Sequence, residues 1–340
     1  MQNPENKTKL NEFGGKRVLI TGGVGFLGSN LAEELLRLGA QVMLVDSMIP
    51  RYGATLDNLA EFSNQVIVNF SDIRDVHSIS YLVRGQDVIF SLAGQVSHLD
   101  SMQDPLTDLD INCRAQLSLL EACRQNNPEV RLVFAGTRQI YGRPQVLPVS
   151  ESHPLVPADA NGVSNLAAEM YFGLYHRVYN MRTVSLRLTN SFGPRMDLDS
   201  GQKGFMGVFF RRALRGESIQ LYGDGWQRRD FNYSSDVVNA FLLAACSGDG
   251  LWGESFNLGH SQSHSLLEVV KLLQQYAEFD YECIDFPAAR KAIDIGDYMA
   301  DFSRFQAATG WSPEVSLEEG IEATMRYFRA RPKRWSDGTQ

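Results

Sequence analysis

The sequence has few cysteines, no long apolar run and no excess of basic residues. Its four cysteines (Cys113, Cys123, Cys246 and Cys283) form no CxxC pair, which argues against a zinc site and favours free thiols in the reducing cytoplasm. No apolar run approaches the roughly 18 residues of a membrane span. Lys and Arg number 32 against 40 Asp and Glu. Because an acidic surface repels phosphate backbones, we expect no nucleic-acid partner. The lack of a long apolar run argues against a membrane partner. His153 and His176 have no paired ligands at metal spacing, so we predict no metal.

Short apolar runs alternate with helical stretches in the first half of the 340 residues. The runs KRVLI, VMLVD, VIVNF, DVIFSLAG, VRLVFAG and TVSLRLTN predict buried strands, and LAEELLRLGA and NCRAQLSLLEACRQ predict helices between them. Repeated strand–helix–strand units imply a parallel sheet with helices on both faces. Right-handed crossovers then give an α/β fold with a doubly wound, Rossmann-type parallel sheet.

The pattern changes after about residue 190, where glycine and charge become denser and the alternation is lost. We therefore expect a flexible tail over 1–15, a Rossmann-type domain over 16–190 and a smaller mixed α/β substrate domain over 191–330. The segment SSDVVNAFLLAA predicts a helix near 234–246 that returns to the first domain. Residues 331–340 carry no clear structural signal and are predicted to be a second tail.

Three glycines with the spacing GxxGxxG lie directly between the first predicted strand and helix. Gly22, Gly25 and Gly28 allow a tight turn, close approach to a pyrophosphate and contact between helix and strand. The N-terminus of the following helix supplies free N–H groups and the positive end of its dipole. Asp46 ends the second strand, where a carboxylate accepts ribose hydroxyls and repels a 2′-phosphate, so the motif favours NAD over NADP.

With TGGVGFLGSN, Asp46, DIRD at 72–75 and IYG at 140–142, the chain resembles the extended short-chain dehydrogenase/reductases. More narrowly, it resembles the NAD-dependent epimerase/dehydratase family, which acts on nucleotide sugars. The second half carries RLTNSFGPR, YGDGWQRRDF, NLGH and TGWSPEVSLEEGI in the order of that family. The resemblance implies an NAD cofactor, a nucleotide-sugar substrate and a homodimer.

The resemblance also implies roles for residues at matching positions. Substrate contacts fall on Thr137, Asn190, Arg195 and Arg229, and the guanidinium of Arg229 also suits a diphosphate on chemical grounds. The implied cofactor contacts, besides the three glycines and Asp46, are Phe26, Leu27, Asp72, Ile73, Ala93, Gly94 and Asn165.

The catalytic positions depart from the family pattern. Its members carry Ser or Thr and then Tyr-x-x-x-Lys, in which the tyrosinate moves a proton and the lysine lowers its pKa. Thr137 fills the Ser/Thr position, but Asn161 and Asn165 stand where the tyrosine and lysine are expected. An amide cannot titrate near neutrality, although it donates and accepts hydrogen bonds. Four residues apart on a helix, the two asparagines share one face.

Other residues are candidates for the missing proton chemistry. His98 follows the fourth strand, faces the expected sugar site and titrates near neutral pH. Arg138 either polarises a sugar oxygen or pairs with an acid, and Tyr141 is an alternative base or a packing residue. Arg138-Gln139 stands where dehydratases of the family carry Asp-Glu, which disfavours the usual dehydration. The predicted catalytic set is therefore Thr137, Asn161, Asn165, His98 and Arg138.

Three functions stay open from the sequence. The first is an epimerase-like enzyme that binds NAD and remodels a nucleotide sugar with a non-standard catalytic set. The second is a pyranose/furanose mutase of a nucleotide sugar that needs no NAD. The third is a catalytically silent protein that binds NAD or a nucleotide sugar, which the loss of the tyrosine and lysine would also produce.

Overall fold

The computed structural model describes residues 4–198, 204–246 and 248–335. The strands are β1 (Arg17–Thr21), β2 (Gln41–Val45), β3 (Ile67–Asn69), β4 (Val88–Ser91), β5 (Arg131–Thr137), β6 (Arg182–Leu188), β7 (Asn190–Phe192), β8 (Ile219–Tyr222), β9 (Arg228–Tyr233), β10 (Ser255–Asn257), β11 (Ser263–Ser265) and β12 (Tyr281–Ile284). The helices are α1 (Pro4–Leu10), α2 (Phe26–Arg37), α3 (Val76–Leu82), α4 (His98–Gln103), α5 (Pro105–Leu109), α6 (Ala115–Asn126), α7 (Ala160–Tyr179), α8 (Phe205–Arg215), α9 (Ser234–Cys246), α10 (Leu266–Gln274), α11 (Ala288–Ala292), α12 (Ser303–Thr309) and α13 (Leu317–Arg329).

The main sheet has seven parallel strands in the order β10-β6-β5-β4-β1-β2-β3. Helices α2 and α9 cover one face, where Leu31, Leu35 and Phe241 are fully buried. Helices α3, α6 and α7 cover the other face with residues such as Leu119 and Phe172. Fully apolar strands need cover on both faces. The two helix layers therefore confirm the predicted doubly wound, Rossmann-type sheet.

From Pro4 onward, the N-terminal segment differs from the flexible tail predicted over 1–15, and residues 1–3 lie outside the described part. From Pro4 the chain forms α1, followed by a short 3-10 turn over Asn11–Phe13. Leu10 and Phe13 are buried in the core beside α9. These two side chains, three positions apart, share one face, and their burial stabilises a segment whose other residues are largely polar.

The remainder of the chain forms a smaller unit beside the sheet. It contains a three-stranded sheet (β11-β9-β7) and a two-stranded sheet (β12-β8), with α8, α10 and α13 around a core that includes Phe210, Val270 and Ile321. Two returning elements besides the predicted helix near 234–246 pack on the first unit, namely β10 and α12. The predicted tail begins with a 3-10 turn over Pro332–Arg334, and its residues 336–340 lie outside the described part.

No helix within the described ranges is long and apolar enough to cross a membrane. The same ranges contain no cluster of three or more His, Cys, Asp or Glu side chains arranged to hold a metal ion.

Candidate functional site

A cleft of about 580 Å³ lies where the carboxyl ends of the sheet strands face the smaller unit. The loops after β1, β2, β4 and β5 line one side of it. The other side comes from the smaller unit, through residues such as Tyr222, Arg229 and Asp294. In an open parallel sheet this edge is where ligands bind, because the loops and helix N-termini converge there.

The glycine loop after β1 forms a cradle that larger residues would fill. Gly22 has a left-handed φ of +69°, and a Cβ there would lie 2.8 Å from the backbone nitrogen of Ala93. A Cβ on Gly28 would lie 2.2 Å from the carbonyl oxygen of Gly22. Gly25 precedes the first turn of α2, and its N–H donates to the Gly22 oxygen at 3.2 Å. Phe26, which begins α2, lines the cleft, as does Leu27. The backbone donors of this turn fit a pyrophosphate.

Asp46 lies at the end of β2 and connects two loops at the cleft. Its Oδ2 accepts the N–H of Val24 at 3.1 Å and its Oδ1 accepts the N–H of Met48 at 3.0 Å. Burial raises the pKa of this carboxyl, and the two N–H groups act in the opposite direction. Because it lines the cleft beside the glycine loop, the carboxylate fits the ribose of a dinucleotide.

The other predicted cofactor residues border the same cleft. The carboxylate of Asp72 binds the Arg74 guanidinium at 2.9 and 2.6 Å, which lowers the pKa of Asp72. Ile73, Ala93 and Gly94 line the cleft. Together with the glycine cradle, these residues fit a bound dinucleotide.

The two asparagines at the tyrosine and lysine positions form hydrogen bonds with each other and with neighbouring residues. Asn161 donates its Nδ2 to the carbonyl oxygen of Gln95 at 2.7 Å and to Oδ2 of Asp108 at 3.2 Å. Asn165 donates to the backbone oxygen of Asn161 at 2.9 Å. The amide of Asn161 therefore braces the loop after β4, and burial raises the pKa of the carboxyl of Asp108.

Thr137 ends β5 and lines the cleft. Its Oγ1 accepts the N–H of Gln139 at 3.2 Å, which starts a 3-10 turn. The Gln139 side chain turns inward and donates to Oδ2 of Asp159 at 2.9 Å. A glutamine in this place therefore braces the protein, whereas the acid of the usual dehydration must reach the substrate.

His98, the first residue of α4, lines the cleft. Its Nδ1 lies 2.9 Å from Oδ2 of Asp159, a side chain with no exposed surface. Burial opposes ionisation of Asp159, but the neighbouring His98, the N–H of Gly162 and Gln139 lower its pKa. Asp159 is the N-cap of α7, where its Oδ1 accepts the Gly162 N–H at 2.7 Å. The sequence reasoning did not single out Asp159, although an acidic N-cap before a helix was a readable signal.

The guanidinium groups of Arg138 and Arg229 lie at the end of the cleft opposite the glycine loop. Arg138 donates to Oδ1 of Asn190 at 3.0 Å and stacks 5.0 Å above the centre of the Tyr298 ring. Arg229 lies 3.3 Å from Oδ1 of Asp294. Burial and then the charge of Arg138 lower the pKa of Arg229 to about 10. Desolvation likewise lowers the pKa of Arg138. An anion bound here would relieve both effects.

An aromatic wall borders the same end of the cleft. The rings of Tyr222 and Phe286 lie 5.4 Å apart, and the guanidinium of Arg290 lies 5.5 Å from the Tyr222 ring. Phe286 and Arg290 belong to no motif, so the sequence offered no signal for them. Trp226 is exposed and is not among the residues that line the cleft.

Arg195 and Tyr141 are not brought to the cleft. The guanidinium of Arg195 is held by Glu33 at 2.8 Å and Glu61 at 3.0 Å on the outer side of the first unit, so it is already neutralised. Tyr141 is fully buried and donates to Oδ1 of Asn257 at 2.7 Å. Burial raises the pKa of Tyr141 to about 12, so it packs and does not act as a base.

Comparisons with known proteins give consistent results. The NAD dependent epimerase/dehydratase family matches residues 18–259. A putative UDP-glucose 4-epimerase of Methanocaldococcus jannaschii is 31% identical over 318 residues, which are 92% of this chain and 98% of that protein. CDP-paratose 2-epimerase of Salmonella typhi is 31% identical over 333 residues, which are 90% of this chain and 97% of that protein.

Solved structures show the same relationship. A UDP-glucose 4-epimerase of Thermotoga maritima, solved with UDP-glucose, superposes with a TM-score of 0.83 at 30% identity and covers 92% of this chain and 99% of its own. A UDP-glucose 4-epimerase of Thermus thermophilus, solved with NAD, gives 0.83 at 31% identity with 93% and 99% coverage. The chain therefore belongs to the NAD-dependent epimerase/dehydratase family of nucleotide-sugar enzymes.

Proposed function

We propose that the protein is an NAD-dependent epimerase of a nucleotide-linked hexose. The observation that carries the proposal is one continuous cleft that joins the glycine cradle and Asp46 at one end to Arg138 and Arg229 at the other. Thr137 lies on the wall between them. UDP-hexoses are the first substrates to test, because relatives that are 30–31% identical to this chain include UDP-glucose 4-epimerases.

Each end of the cleft has a distinct binding role in this proposal. The N–H groups after Gly22 hold the pyrophosphate of NAD and Asp46 accepts its ribose hydroxyls. Arg229 and Asn190 bind the diphosphate of the nucleotide sugar, and Tyr222 stacks on its base. Bound NAD supplies a hydride acceptor and donor at the sugar. Thr137 orients the sugar hydroxyl by hydrogen bonding.

A ring-size mutase that needs no NAD is the second candidate. The observation that favours it is the amide of Asn161, whose bonds to Gln95 and Asp108 leave no titratable group at the tyrosine position. The two candidates differ in their need for the cofactor, because ring contraction involves no net redox change.

The first test is mass spectrometry of small molecules released by denaturing the purified protein. We expect about one NAD per chain and, with UDP-glucose added, formation of the C4 epimer detected by chromatography. Turnover that survives complete removal of NAD would support the mutase instead. NAD binding without turnover of UDP-, CDP- or dTDP-hexoses would support a silent binding protein.

We also propose a homodimer formed by α5 and α7. Four apolar residues on α7 are exposed at helical spacing, namely Val163, Met170, Leu174 and Val178. On the neighbouring α5, Leu106 and Leu109 are exposed too. A second copy would cover this stripe, as a helical apolar face in a monomer would otherwise contact water.

Light scattering tests the dimer. We expect twice the chain mass at micromolar concentration and the single-chain mass for Met170→Asp, because a buried carboxylate at the interface is costly. Val146→Asp is the matched control, since Val146 is 68% exposed against 65% for Met170 and lies in a loop. A wild-type monomer would exclude the dimer.

The free cysteines support a reducing compartment, and we propose the cytoplasm. All four cysteines are free thiols. Burial raises the pKa of the thiols of Cys113 and Cys123, so these two stay protonated and pack as small apolar groups.

A further inference from the structure

The loop after β4 is held firmly at the position where the tyrosine of the family is missing. Asn112 accepts the N–H of Gln95 at 2.9 Å and donates to its carbonyl oxygen at 2.8 Å. Asn161 donates to the same oxygen at 2.7 Å. This loop leads directly into α4, so these bonds fix where His98 enters the cleft. The residue that replaces the tyrosine thus helps to place a different titratable group.

His98 and Asp159 have the relative placement of an acid–base pair. Nδ1 of His98 is buried and lies 2.9 Å from Oδ2 of Asp159, out of line for a hydrogen bond, while the two oxygens of Asp159 accept from Gly162 and Gln139. The negative charge of this carboxylate favours a proton on Nδ1, which leaves the lone pair on Nε2. No residue in the described ranges contacts Nε2 by a hydrogen bond, and the side chain is 41% exposed along the cleft.

We propose that His98, oriented by Asp159, is the catalytic acid and base that moves the proton of the sugar hydroxyl. His98 is the catalytic residue and Asp159 is a positioning residue. The inference rests on the proposed function, since it assigns the proton chemistry of that same cleft. It accounts for a family member without the tyrosine and lysine, because an imidazole beside a carboxylate supplies both a base and its conjugate acid near neutral pH.

The proton transfer balances in both directions. In the oxidation step the sugar O–H bond breaks, Nε2 of His98 gains the proton, and the electron pair of that bond would form the carbonyl while bound NAD would accept the hydride from carbon. In the reduction step the imidazolium returns its proton to the oxygen, and the hydride would return to the opposite face of the carbon. Asp159 stays ionised throughout and stabilises the imidazolium.

Several charged groups lie around His98. Asp159 faces it from α7, and Asp108 lies behind on α5. On its own helix, Asp100 is paired with Arg51 at 2.8 Å. Arg138, which follows β5, interacts electrostatically with Asp159. Asp159 is the one in direct contact, so its removal is expected to have the largest effect.

The first measurement needs no turnover. Diethyl pyrocarbonate acylates neutral imidazole, and peptide mass spectrometry gives the rate at His98 as a function of pH. We expect Asp159→Asn to move the midpoint of this profile to lower pH, since it removes the carboxylate that favours the imidazolium. Asparagine preserves the N-cap. Asp75→Asn is the matched control because Asp75 also caps a helix, α3, and it should leave the midpoint unchanged.

The second measurement compares His98→Gln with the wild type. We expect kcat to fall by about 10²- to 10⁴-fold while the Kd of NAD, measured by calorimetry, stays the same. The control His77→Gln, on the exposed side of α3, should leave kcat unchanged. Asp159→Asn should lower kcat and shift the acidic limb of the kcat/KM profile to lower pH.

The outcomes separate this proposal from the proposed function. If the wild type is active and the kcat of His98→Gln stays within about threefold of the wild-type value, the acid–base role is overturned. An unchanged acylation midpoint in Asp159→Asn would overturn the pairing whether or not any nucleotide sugar is turned over. A shifted midpoint in a wild type that turns over no UDP-, CDP- or dTDP-hexose would leave the pair supported and the epimerase function contradicted.

Discussion

Gly28→Ala is expected to weaken NAD binding by about 5- to 150-fold. A Cβ at this position would lie 2.2 Å from the Gly22 carbonyl oxygen and 2.8 Å from Cα of Gly23. Both contacts are with backbone, so no side chain can rotate away, and the glycine loop must move. Overpacking of this kind costs about 1–3 kcal/mol, and each 1.4 kcal/mol or so is a factor of ten in affinity. Calorimetric titration with NAD measures the loss.

Gly250→Ala is the matched control for the glycine loop. A Cβ on Gly250 would have no atom within 4 Å, so NAD affinity and thermal stability should equal those of the wild type. Calorimetric unfolding without NAD separates a moved loop from a failed fold. An NAD affinity of Gly28→Ala that matches the control would show that the glycine loop is not the cofactor site.

Arg229→Gln is expected to lose most of the affinity for a UDP-hexose while the protein stays folded. The pKa of Arg229, lowered to about 10 mainly by burial, shows that the charged guanidinium is poorly solvated before any ligand binds. Its partner in the free protein, Asp294, has a side chain that is 23% exposed, so water can solvate this carboxylate once Arg229 is replaced. Removing one partner of a buried charge pair in the complex costs about 2–5 kcal/mol, which is roughly 30-fold or more in Kd. Calorimetry with UDP-glucose gives the Kd, and thermal unfolding gives the stability.

The control for this prediction is Arg304→Gln. Like Arg229, Arg304 pairs with a carboxylate, that of Glu254 at 3.0 Å, but it lies outside the cleft. We expect the affinity for UDP-glucose to be unchanged in this variant. If Arg229→Gln lowers the unfolding temperature and keeps the affinity, Arg229 is a structural residue and the diphosphate binds elsewhere.

The cofactor half of the site was readable from sequence because its determinants are local. Gly22, Gly25 and Gly28 act through a turn between one strand and one helix, and Asp46 through the end of the next strand. For these residues, the spacing along the chain therefore determines their positions in the structure, and they lie at one cleft. The fold followed for the same reason, since apolar runs separated by helices specify a parallel sheet.

The substrate half was less readable because it depends on contacts between distant segments. Arg195 and Arg229 both lie in motifs of the family, so the sequence does not distinguish their roles. Only the tertiary structure shows that carboxylates at positions 33 and 61 hold the first one outside the cleft. Asp159 was missed because its distance from His98 in sequence hides their contact. Tyr141 was an open candidate for the base, and its burial beside Asn257 of β10 excludes that role.

The bond from Asn161 to the carbonyl oxygen of Gln95 also affects how this site could change. Asn161 is 3% exposed and lines the cleft, and its amide holds the loop that leads to His98. A tyrosine has no amide to make this bond, so regaining the tyrosine would loosen the placement of His98 before the new group could act. An intermediate sequence with the tyrosine but without the lysine is therefore expected to be less active than the present one.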